Sequence, residues 1–371
     1  MEYKVPFVDL PKHFQNLRGE LEELINNVLF KRADLILRDD LRQLEENFAS
    51  LVGVKYAVGV NSGTDALFFS LLAAGIGKGD EVITVAHTFV ATVAVIVFAG
   101  AKPVLVDVAK DYNIDVEKIE ESITKKTKAI IPVHLNGRMC KMDKIISIAR
   151  KYNLIVIEDA AQAIGASFDG KKAGSLGLTG CFSFYPMKII GGAGDGGMVV
   201  TNSRKVAQKI RFLRDHCQNR RTGDLLGFGY NSRLDNLHAA IINAKLKHLN
   251  SWIKRRREIA KIYHVGLDIA EIKLPPFDGD KYFDVFQNYV IRAKKRDNLV
   301  EYLNKCGIET LISWRKPMHK HKALGLDHFK LPMTEKISKE VVSLPMNTEL
   351  TNEQVEYVID CIKKFYKGKT Q

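Results

Sequence analysis

The sequence predicts an α/β protein in which a mostly parallel, seven-stranded sheet with flanking helices is followed by a smaller α+β domain. From position 56 to 201, short β-branched runs alternate with helical stretches, as in strands joined by crossover helices. Several runs, such as Ile155-Val156-Ile157, are apolar at consecutive positions, as strands are when helices cover both faces of a sheet. The 371 residues, 46% of them hydrophobic, suffice for a large core and two domains.

Seven strands are predicted in the first part of the chain. They are Tyr56–Val60, Glu81–Thr84, Pro103–Val106, Ala129–Val133, Leu154–Glu158, Gly180–Phe184 and Gly197–Thr201. Helical patterns separate most of them, which indicates crossover connections within one α/β domain.

The chain beyond the sheet is predicted to be helical at first and then mixed. After position 230, apolar residues spaced by threes and fours indicate a long helix, and Ser232 followed by Asp235 resembles a capping box at its start. Pro275-Pro276 interrupts this pattern. A strand and two helices are predicted beyond it: Asn288–Arg292, Asp297–Cys306 and Asn352–Phe365. We therefore place a large domain at residues 1–250 and a smaller one at residues 251–371.

Composition limits the functional classes. The net charge of +13 favours an anionic partner such as nucleic acid, a membrane surface or a phosphorylated metabolite. The basic run Lys254–Arg257 lies in a helical pattern and is interpreted as a solvated face, so no nucleic-acid partner is predicted. The five cysteines form no C-x-x-C pair, which predicts a reducing cytoplasm and no zinc site. No signal peptide is expected, and the longest apolar run, Val93 to Ala101, is too short to cross a membrane.

Three clusters carry candidate chemistry near the ends of predicted strands. Asn61–Leu67 leads into a helix, whose free N–H groups bind phosphate well; an ordinary N-cap is the alternative. Asp159 follows a strand and could hold a metal, a ribose or a protonated heterocyclic nitrogen, or cap a helix. Lys188 has aromatic and apolar neighbours, which lower the pKa of a lysine and favour Schiff-base chemistry; a surface lysine is the alternative.

The glycine-rich segment after Lys188 is not interpreted as a dinucleotide fingerprint. Gly192, Gly194 and Gly197 satisfy G-x-G-x-x-G, but they lead into a strand, whereas the fingerprint opens a helix. A tightly turning, flexible segment is predicted instead, and a nicotinamide dehydrogenase is disfavoured.

Together the three clusters match the needs of pyridoxal phosphate. Its phosphate requires an anion cradle, its ring nitrogen a carboxylate and its aldehyde an amine. Phe89 could stack on the ring, Gln162 lies one helical turn beyond Asp159, Ser183 could contact the phosphate and Asn231 opens the long helix. Each of these residues has an alternative role as a core aromatic or a capping group.

With these motifs the sequence resembles the DegT-type nucleotide-sugar aminotransferases of the aspartate aminotransferase superfamily, which have the pyridoxal-phosphate fold type I. The resemblance covers nearly the whole chain. It rests on Val5–Leu10, Asn61–Leu67, His87–Phe89, Glu158–Gly165, Ser183–Lys188, Gly194–Gly197, Gly229–Arg233 and Val342–Pro345. It implies an enzyme that moves an amino group from an amino acid, L-glutamate by resemblance, through pyridoxamine phosphate to the keto group of a nucleoside-diphosphate-linked sugar.

The resemblance also implies roles for individual residues. Lys188 corresponds to the lysine that bonds to the cofactor and moves the proton, Asp159 to the partner of the ring nitrogen, and Gln162 to a residue against the cofactor ring. The implied phosphate contacts are Gly63, Thr64, Asp65, Ser183 and, from the other subunit of a homodimer, Asn231. The implied substrate-binding residues are Tyr185, Arg315 and His319.

Two alternative functions remain. A non-catalytic regulator of transcription would suit the basic charge, although no separate DNA-binding domain is visible in the sequence. A sugar dehydratase on the same fold would resemble the same family, but it has histidine where this chain has Lys188.

Overall fold

A seven-stranded sheet lies at the centre of the larger part of the computed structural model, which describes residues 3–277 and 279–368. The strands within these residues are β1 (Tyr56–Val60), β2 (Glu81–Val85), β3 (Lys102–Val106), β4 (Thr127–Ile130), β5 (Ile155–Asp159), β6 (Ser167–Phe168), β7 (Lys171–Lys172), β8 (Thr179–Ser183), β9 (Gly197–Thr201), β10 (Ile272–Lys273), β11 (Tyr282–Phe283), β12 (Tyr289–Ala293) and β13 (Val341–Leu344). The α-helices are α1 (Leu10–Asn16), α2 (Arg18–Ile25), α3 (Asp39–Val52), α4 (Gly63–Ala74), α5 (Val90–Phe98), α6 (Met142–Tyr152), α7 (Arg204–Leu213), α8 (Asn236–Leu246), α9 (Leu249–Gly266), α10 (Arg296–Lys305), α11 (Pro332–Glu340) and α12 (Asn352–Lys367). Among these helices, none combines the length and the apolar character needed to cross a membrane.

The central sheet has the strand order β1-β9-β8-β5-β4-β2-β3. Its neighbours from β8 to β3 pair in parallel, and β9 runs antiparallel to β1 and β8. Val156 packs with α3, α6 and α8 on one face, whereas Ile157 packs with α4, α5 and α7 on the other. Burial on both faces explains why consecutive apolar residues form these strands. The predicted fold class, a mostly parallel seven-stranded sheet, is confirmed.

Strand β4 ends earlier than the sequence predicts, at Ile130 instead of Val133. Pro132 lacks an N–H group and cannot donate to a regular ladder. Its carbonyl still accepts a hydrogen bond from the N–H of Asp159 at 2.9 Å, so Val133 remains beside Asp159. The end of β5 is thereby held against the segment that follows β4.

The predicted long helix after position 230 is two helices, and its predicted capping box is wrong. Helix α8 begins at Asn236, and its N-cap residue Asp235 makes no capping bond with its side chain. The hydroxyl of Ser232 instead donates to the carboxylate of Asp65 at 2.7 Å and accepts from the N–H of Asn61 at 3.2 Å. Ser232 therefore fixes the segment that enters α4 instead of starting α8.

The C-terminal part of the chain forms a second core on an antiparallel sheet of order β10-β12-β13. Helices α9, α10 and α12 contribute buried side chains to this core, among them Tyr263, Leu299 and Ile362. Val5 pairs with Ile308 and belongs to the same core, so the start of the chain packs with its last third. The strand and helices predicted here occur within two residues of their predicted bounds.

Candidate active site

A cavity of about 560 Å³ opens where the parallel strands of the central sheet end. The carboxyl ends of parallel strands are where open α/β sheets bind ligands. The cavity brings together eight of the residues predicted from sequence: Gly63, Thr64, Phe89, Asp159, Gln162, Ser183, Tyr185 and Lys188. Residues separated by more than a hundred positions therefore line one site.

Lys188 lies in an irregular turn after β8, where its N–H donates to the carbonyl of Tyr185 at 2.8 Å. Its side chain is partly buried and lines the cavity, and the surrounding protein atoms desolvate the amine. This desolvation lowers the pKa of Lys188 to about 8, against an opposing effect of the negative charge of Asp159. Roughly one amine in ten is then unprotonated at pH 7, and only that form is a nucleophile.

Asp159 ends strand β5 and has 6% of its surface exposed. Its Oδ2 accepts a hydrogen bond from Thr92 Oγ1 at 2.9 Å, and its Oδ1 accepts one from the N–H of Ala161 at 3.2 Å. Burial raises the pKa of this carboxyl, while the hydrogen bonds from Thr92 and Ala161 and the charge of Lys188 oppose the rise. A protonated ring nitrogen beside Asp159 would favour the carboxylate in the same way.

The start of α4 offers an anion site on the cavity wall. Ser62 caps this helix by accepting from the N–H of Asp65 at 3.0 Å, and the N–H groups of Gly63 and Thr64 have no acceptor inside the helix because they lie in its first turn. Gly63 packs so closely on Ser183 that a Cβ at position 63 would lie 2.8 Å from the Ser183 Cβ. The hydroxyl of Ser183 and the helix N-terminus therefore share one corner, as phosphate binding requires.

The other lining residues predicted from sequence surround this centre. Gln162 lies in an irregular turn, not the predicted helical turn, and its Oε1 accepts from the N–H of Asn136 at 2.8 Å. Phe89 occupies the N-cap position of α5 and is 61% exposed, and Tyr185 is 48% exposed. Both rings have open faces toward which a planar ligand can pack.

Asp65 and Asn231 are not among the residues that line the cavity in the described chain. The carboxylate of Asp65 is turned to Ser232, and its N–H is taken by Ser62. Asn231 is exposed and pairs with Asp215 through an antiparallel bridge. Their predicted contacts with a phosphate stay predictions.

The two basic residues predicted to bind substrate also lie outside the described lining. His319 is fully buried, and its Nε2 lies 3.2 Å from Glu335 Oε1. Arg315 has 65% of its side chain exposed and its guanidinium is 3.6 Å from the carboxylate of Asp297. Their roles in substrate binding stay predictions.

Several lining residues escaped the sequence analysis. They include Thr92, Gln287, Asn288 and Trp314, whereas Ser62, Thr88 and Asp195 lie in segments that the sequence singled out without giving these residues a role. The hydroxyls of Thr88, just before α5, and Thr92, in its first turn, lie 2.9 Å apart. Gln287 and Trp314 come from the C-terminal part and reach the cavity through the tertiary fold alone.

The fold and the lysine–carboxylate pair define a pyridoxal-phosphate enzyme of fold type I. The chain belongs to the DegT/DnrJ/EryC1/StrS aminotransferase family, whose model matches residues 18–363. The family, the fold type and the cofactor predicted from the sequence are therefore confirmed.

Similar proteins cover the chain almost from end to end. The chain is 42% identical to the dTDP-3-amino-3,6-dideoxy-alpha-D-galactopyranose transaminase of Aneurinibacillus thermoaerophilus, with 97% of this chain and 99% of that one covered. It is also 42% identical to a protein of Geobacillus stearothermophilus named pleiotropic regulatory protein, with 98% and 99% covered. Among solved structures, S. venezuelae DesV in complex with a ketimine intermediate superposes with a TM-score of 0.94 at 36% identity, covering 98% of this chain and 99% of that one.

The residues present fit pyridoxal phosphate. Because Gly63 has no side chain, the start of α4 lies against Ser183, so its backbone N–H groups and the Ser183 hydroxyl are together at the phosphate corner. The buried carboxylate of Asp159 suits a cationic ring nitrogen, and Lys188 supplies an amine with a lowered pKa. All four residues line the same cavity.

Proposed function

We propose that this protein transfers an amino group from an amino acid, L-glutamate in the first instance, to the keto group of a nucleoside-diphosphate-linked deoxysugar in amino-sugar biosynthesis. The observation that carries the proposal is that Lys188 and Asp159 line one cavity together with the N-terminus of α4. A relative named as a dTDP-sugar transaminase covers 97% of the chain and supports this class of acceptor.

The cofactor side of the cavity would bind and orient pyridoxal phosphate, which when bound supplies an aldehyde for covalent attachment and an electron sink. The N–H groups of Gly63 and Thr64 and the hydroxyl of Ser183 would hold the phosphate. Asp159, held by Thr92, would face the ring nitrogen and keep it protonated.

Lys188 would act twice through its Nζ atom. Its lowered pKa of about 8 leaves enough unprotonated amine near neutral pH to bond to the cofactor. Once an amino donor has displaced it from the cofactor, the freed Nζ can take a proton from the donor carbon as a general base. It can then deliver that proton to the cofactor as a general acid. The transfer to the keto sugar repeats these proton movements in reverse.

The substrate side is proposed to hold the nucleotide and its pyrophosphate. Tyr185 and Trp314 present aromatic rings to the cavity, and such rings stack on sugars and bases. Arg315, next to Trp314, forms an exposed pair with Asp297, so its guanidinium can turn toward a pyrophosphate at little cost. The net charge of +13 would attract this anionic substrate.

We also propose that the protein is a homodimer with shared active sites and that it works in the cytoplasm. Asn231 follows a segment in which Leu225 is 74% exposed and Phe228 is fully exposed, and a partner subunit would cover such apolar side chains. All five cysteines are free, which supports a reducing compartment.

A non-catalytic regulator is the second candidate, because a relative with 42% identity is named pleiotropic regulatory protein. A regulator would have no need for a desolvated lysine beside a buried carboxylate. Turnover by the purified protein distinguishes the two functions.

The experiment is a transamination assay with the cofactor-loaded protein, L-glutamate and a panel of dTDP- and UDP-linked 3-keto and 4-keto sugars. We expect 2-oxoglutarate and one aminated nucleotide sugar in equal amounts, measured by mass spectrometry. Consumption of glutamate with no aminated sugar would contradict the proposed acceptor. Failure of both half-reactions would contradict the enzyme and favour the regulator.

A further inference from the structure

We propose that Gln287 is a positioning residue that holds the backbone on both sides of Lys188 and thereby fixes the position of the lysine amine. This inference rests on the proposed function, in which Lys188 bonds to the cofactor. Gln287 lies two residues before β12, in the C-terminal part of the chain, and its side chain reaches the turn that carries the lysine.

The side-chain amide of Gln287 bridges the two neighbours of Lys188. Its Nε2 donates to the carbonyl of Met187 at 2.8 Å, and its Oε1 accepts from the N–H of Ile189 at 3.0 Å. The planar amide of Gln287 makes both bonds, so a shift of residues 187–189 would break the two bonds together. Gln287 is 7% exposed, which leaves little water to replace the bonds if they are lost.

The backbone that carries Gln287 is itself held in place. Arg256 is buried, and its Nη1 donates to the carbonyls of Phe286 and Gln287, each at 3.2 Å. Phe286 has a φ of 50°, a conformation that a bulky residue keeps only when its surroundings enforce it. Gly137 packs directly on this backbone: a Cβ at position 137 would lie 2.8 Å from the backbone nitrogen atoms of Phe286 and Gln287. The amide therefore reaches the lysine segment from a rigid support.

The lysine segment needs such support because it is an irregular turn between β8 and β9. Lysine is a long, flexible side chain, so a small movement of its backbone displaces the amine. A displacement of about 1 Å in an active site can reduce the rate about 10²-fold. Two bonds that fix residues 187 and 189 restrict this movement.

A role in positioning can be separated from a role in stability by the titration of the lysine. Gln287 is uncharged, so its replacement by an apolar residue leaves the charge of Asp159 beside Lys188 unchanged. If the segment moves and water reaches the amine, desolvation weakens and the pKa of Lys188 rises from about 8 toward its ordinary value of 10.5. A residue that only stabilises the fold would leave this titration unchanged.

The experiment measures, as a function of pH, the rate at which cofactor-free protein forms its visible absorption band with added pyridoxal phosphate. Only the unprotonated amine bonds to the aldehyde, so the rate rises with pH through the pKa of Lys188. For the parent we expect a midpoint near 8. For Gln287→Leu and Gln287→Met we expect a midpoint at higher pH. The rate at pH 7 should fall about tenfold for each pH unit by which the midpoint rises. With donor and acceptor, both variants should lose kcat while the KM for the keto sugar is kept.

Asn236→Leu is the matched control. Asn236 is also a buried amide, and it bridges the N–H of Leu41 at 3.0 Å and the carbonyl of Asp34 at 2.8 Å, in a part of the described chain that does not line the cavity. The Asn236→Leu variant should unfold at a lower temperature than the parent, but its rate of band formation should depend on pH as the parent's does.

The possible results separate the claims. An unchanged midpoint in the Gln287 variants, or an equal shift in Asn236→Leu, would overturn the positioning role. Gln287→Met keeps the length and volume of the side chain, so it is read alone if Gln287→Leu does not fold. A parent protein that forms no band at all would instead overturn the proposed function.

Discussion

The two sides of the cavity are built differently. The cofactor side consists of strand ends, a first helical turn and irregular turns that are held by hydrogen bonds, as Asp159 is held by Thr92 and Ala161. The substrate side includes a loop in which Trp314 has a φ of 55° and Arg315 is 65% exposed. The difference indicates that elements held by hydrogen bonds at the sheet edge position the residues proposed for the chemistry. We propose that the more exposed loop selects the substrate.

The largest effect is expected on the cofactor side, from Lys188→Ala. Loss of the amine should reduce turnover by roughly 10⁴-fold or more and abolish the visible band of the cofactor-loaded protein, while the fold is kept. An activity assay measures the turnover, visible absorption the band, and circular dichroism the fold.

Lys245→Met is the control for this variant, because burial lowers the pKa of Lys245 to about 8 as well. Lys245 does not line the cavity within the described residues; its amine donates to the carbonyl of Gly191 and lies over the Phe14 ring. We expect lower stability but a retained visible band. Equal loss of the band in both variants would contradict the assignment of Lys188.

Asp159→Asn is expected to have the next largest effect. Asparagine keeps the size and the acceptor for Thr92 but removes the charge that favours a protonated ring nitrogen, so kcat should fall about 10²–10³-fold. Thr92→Val removes one hydrogen bond to the carboxylate and raises the pKa of Asp159 further, so its loss should be smaller, about tenfold. Steady-state kinetics test the order, and a larger loss in Thr92→Val would contradict it.

Asn231→Ala tests whether the cofactor side is completed by a second subunit. Loss of a hydrogen bond to a charged phosphate should weaken cofactor affinity about tenfold, corresponding to roughly 1.5 kcal/mol. Equilibrium dialysis with pyridoxal phosphate measures the affinity, and analytical ultracentrifugation checks that a dimer persists. Equal cofactor affinity in variant and parent would remove Asn231 from the site.

Trp314→Ala should affect the substrate side alone. Removing a cavity-lining ring is expected to raise the KM for the keto sugar about tenfold, with Trp314→Phe intermediate. The half-reaction with the amino donor, followed by stopped-flow absorbance, should keep its rate. A matching loss in that half-reaction would show that the two sides are not independent.

The smallest effect is expected from Arg315→Ala. Its pair with Asp297 is exposed, and such pairs contribute about 0–1 kcal/mol to stability. The unfolding free energy of the variant should therefore differ from that of the parent by no more than this amount. The acceptor KM should increase by less than about fivefold, because a solvated charge adds little binding energy. An increase of about a hundredfold would contradict this expectation and show that the guanidinium binds the pyrophosphate in a place shielded from water.

Most of the residues that the sequence assigned to the cofactor side line the cavity, whereas Asp65 and Asn231 are not in its described lining. Asp159 follows an apolar strand, and Gly63 begins a helix after another, so local patterns place both at the carboxyl edge of one sheet. Ser232 shows the limit of local patterns, because its spacing to Asp235 resembles a cap while its hydroxyl binds Asp65. Gln287 carries no local signal, since its partners lie in another part of the fold.

The central claim is that Lys188 bonds to pyridoxal phosphate and moves the proton while an amino group passes from the amino donor, through the cofactor, to the keto sugar. The most direct test is the visible absorption spectrum of the purified protein supplied with pyridoxal phosphate, recorded before and after addition of L-glutamate. We predict a visible band that disappears with glutamate and returns when a nucleotide-linked keto sugar is added. A spectrum with no such band, or with a band indifferent to every amino donor, would contradict the account.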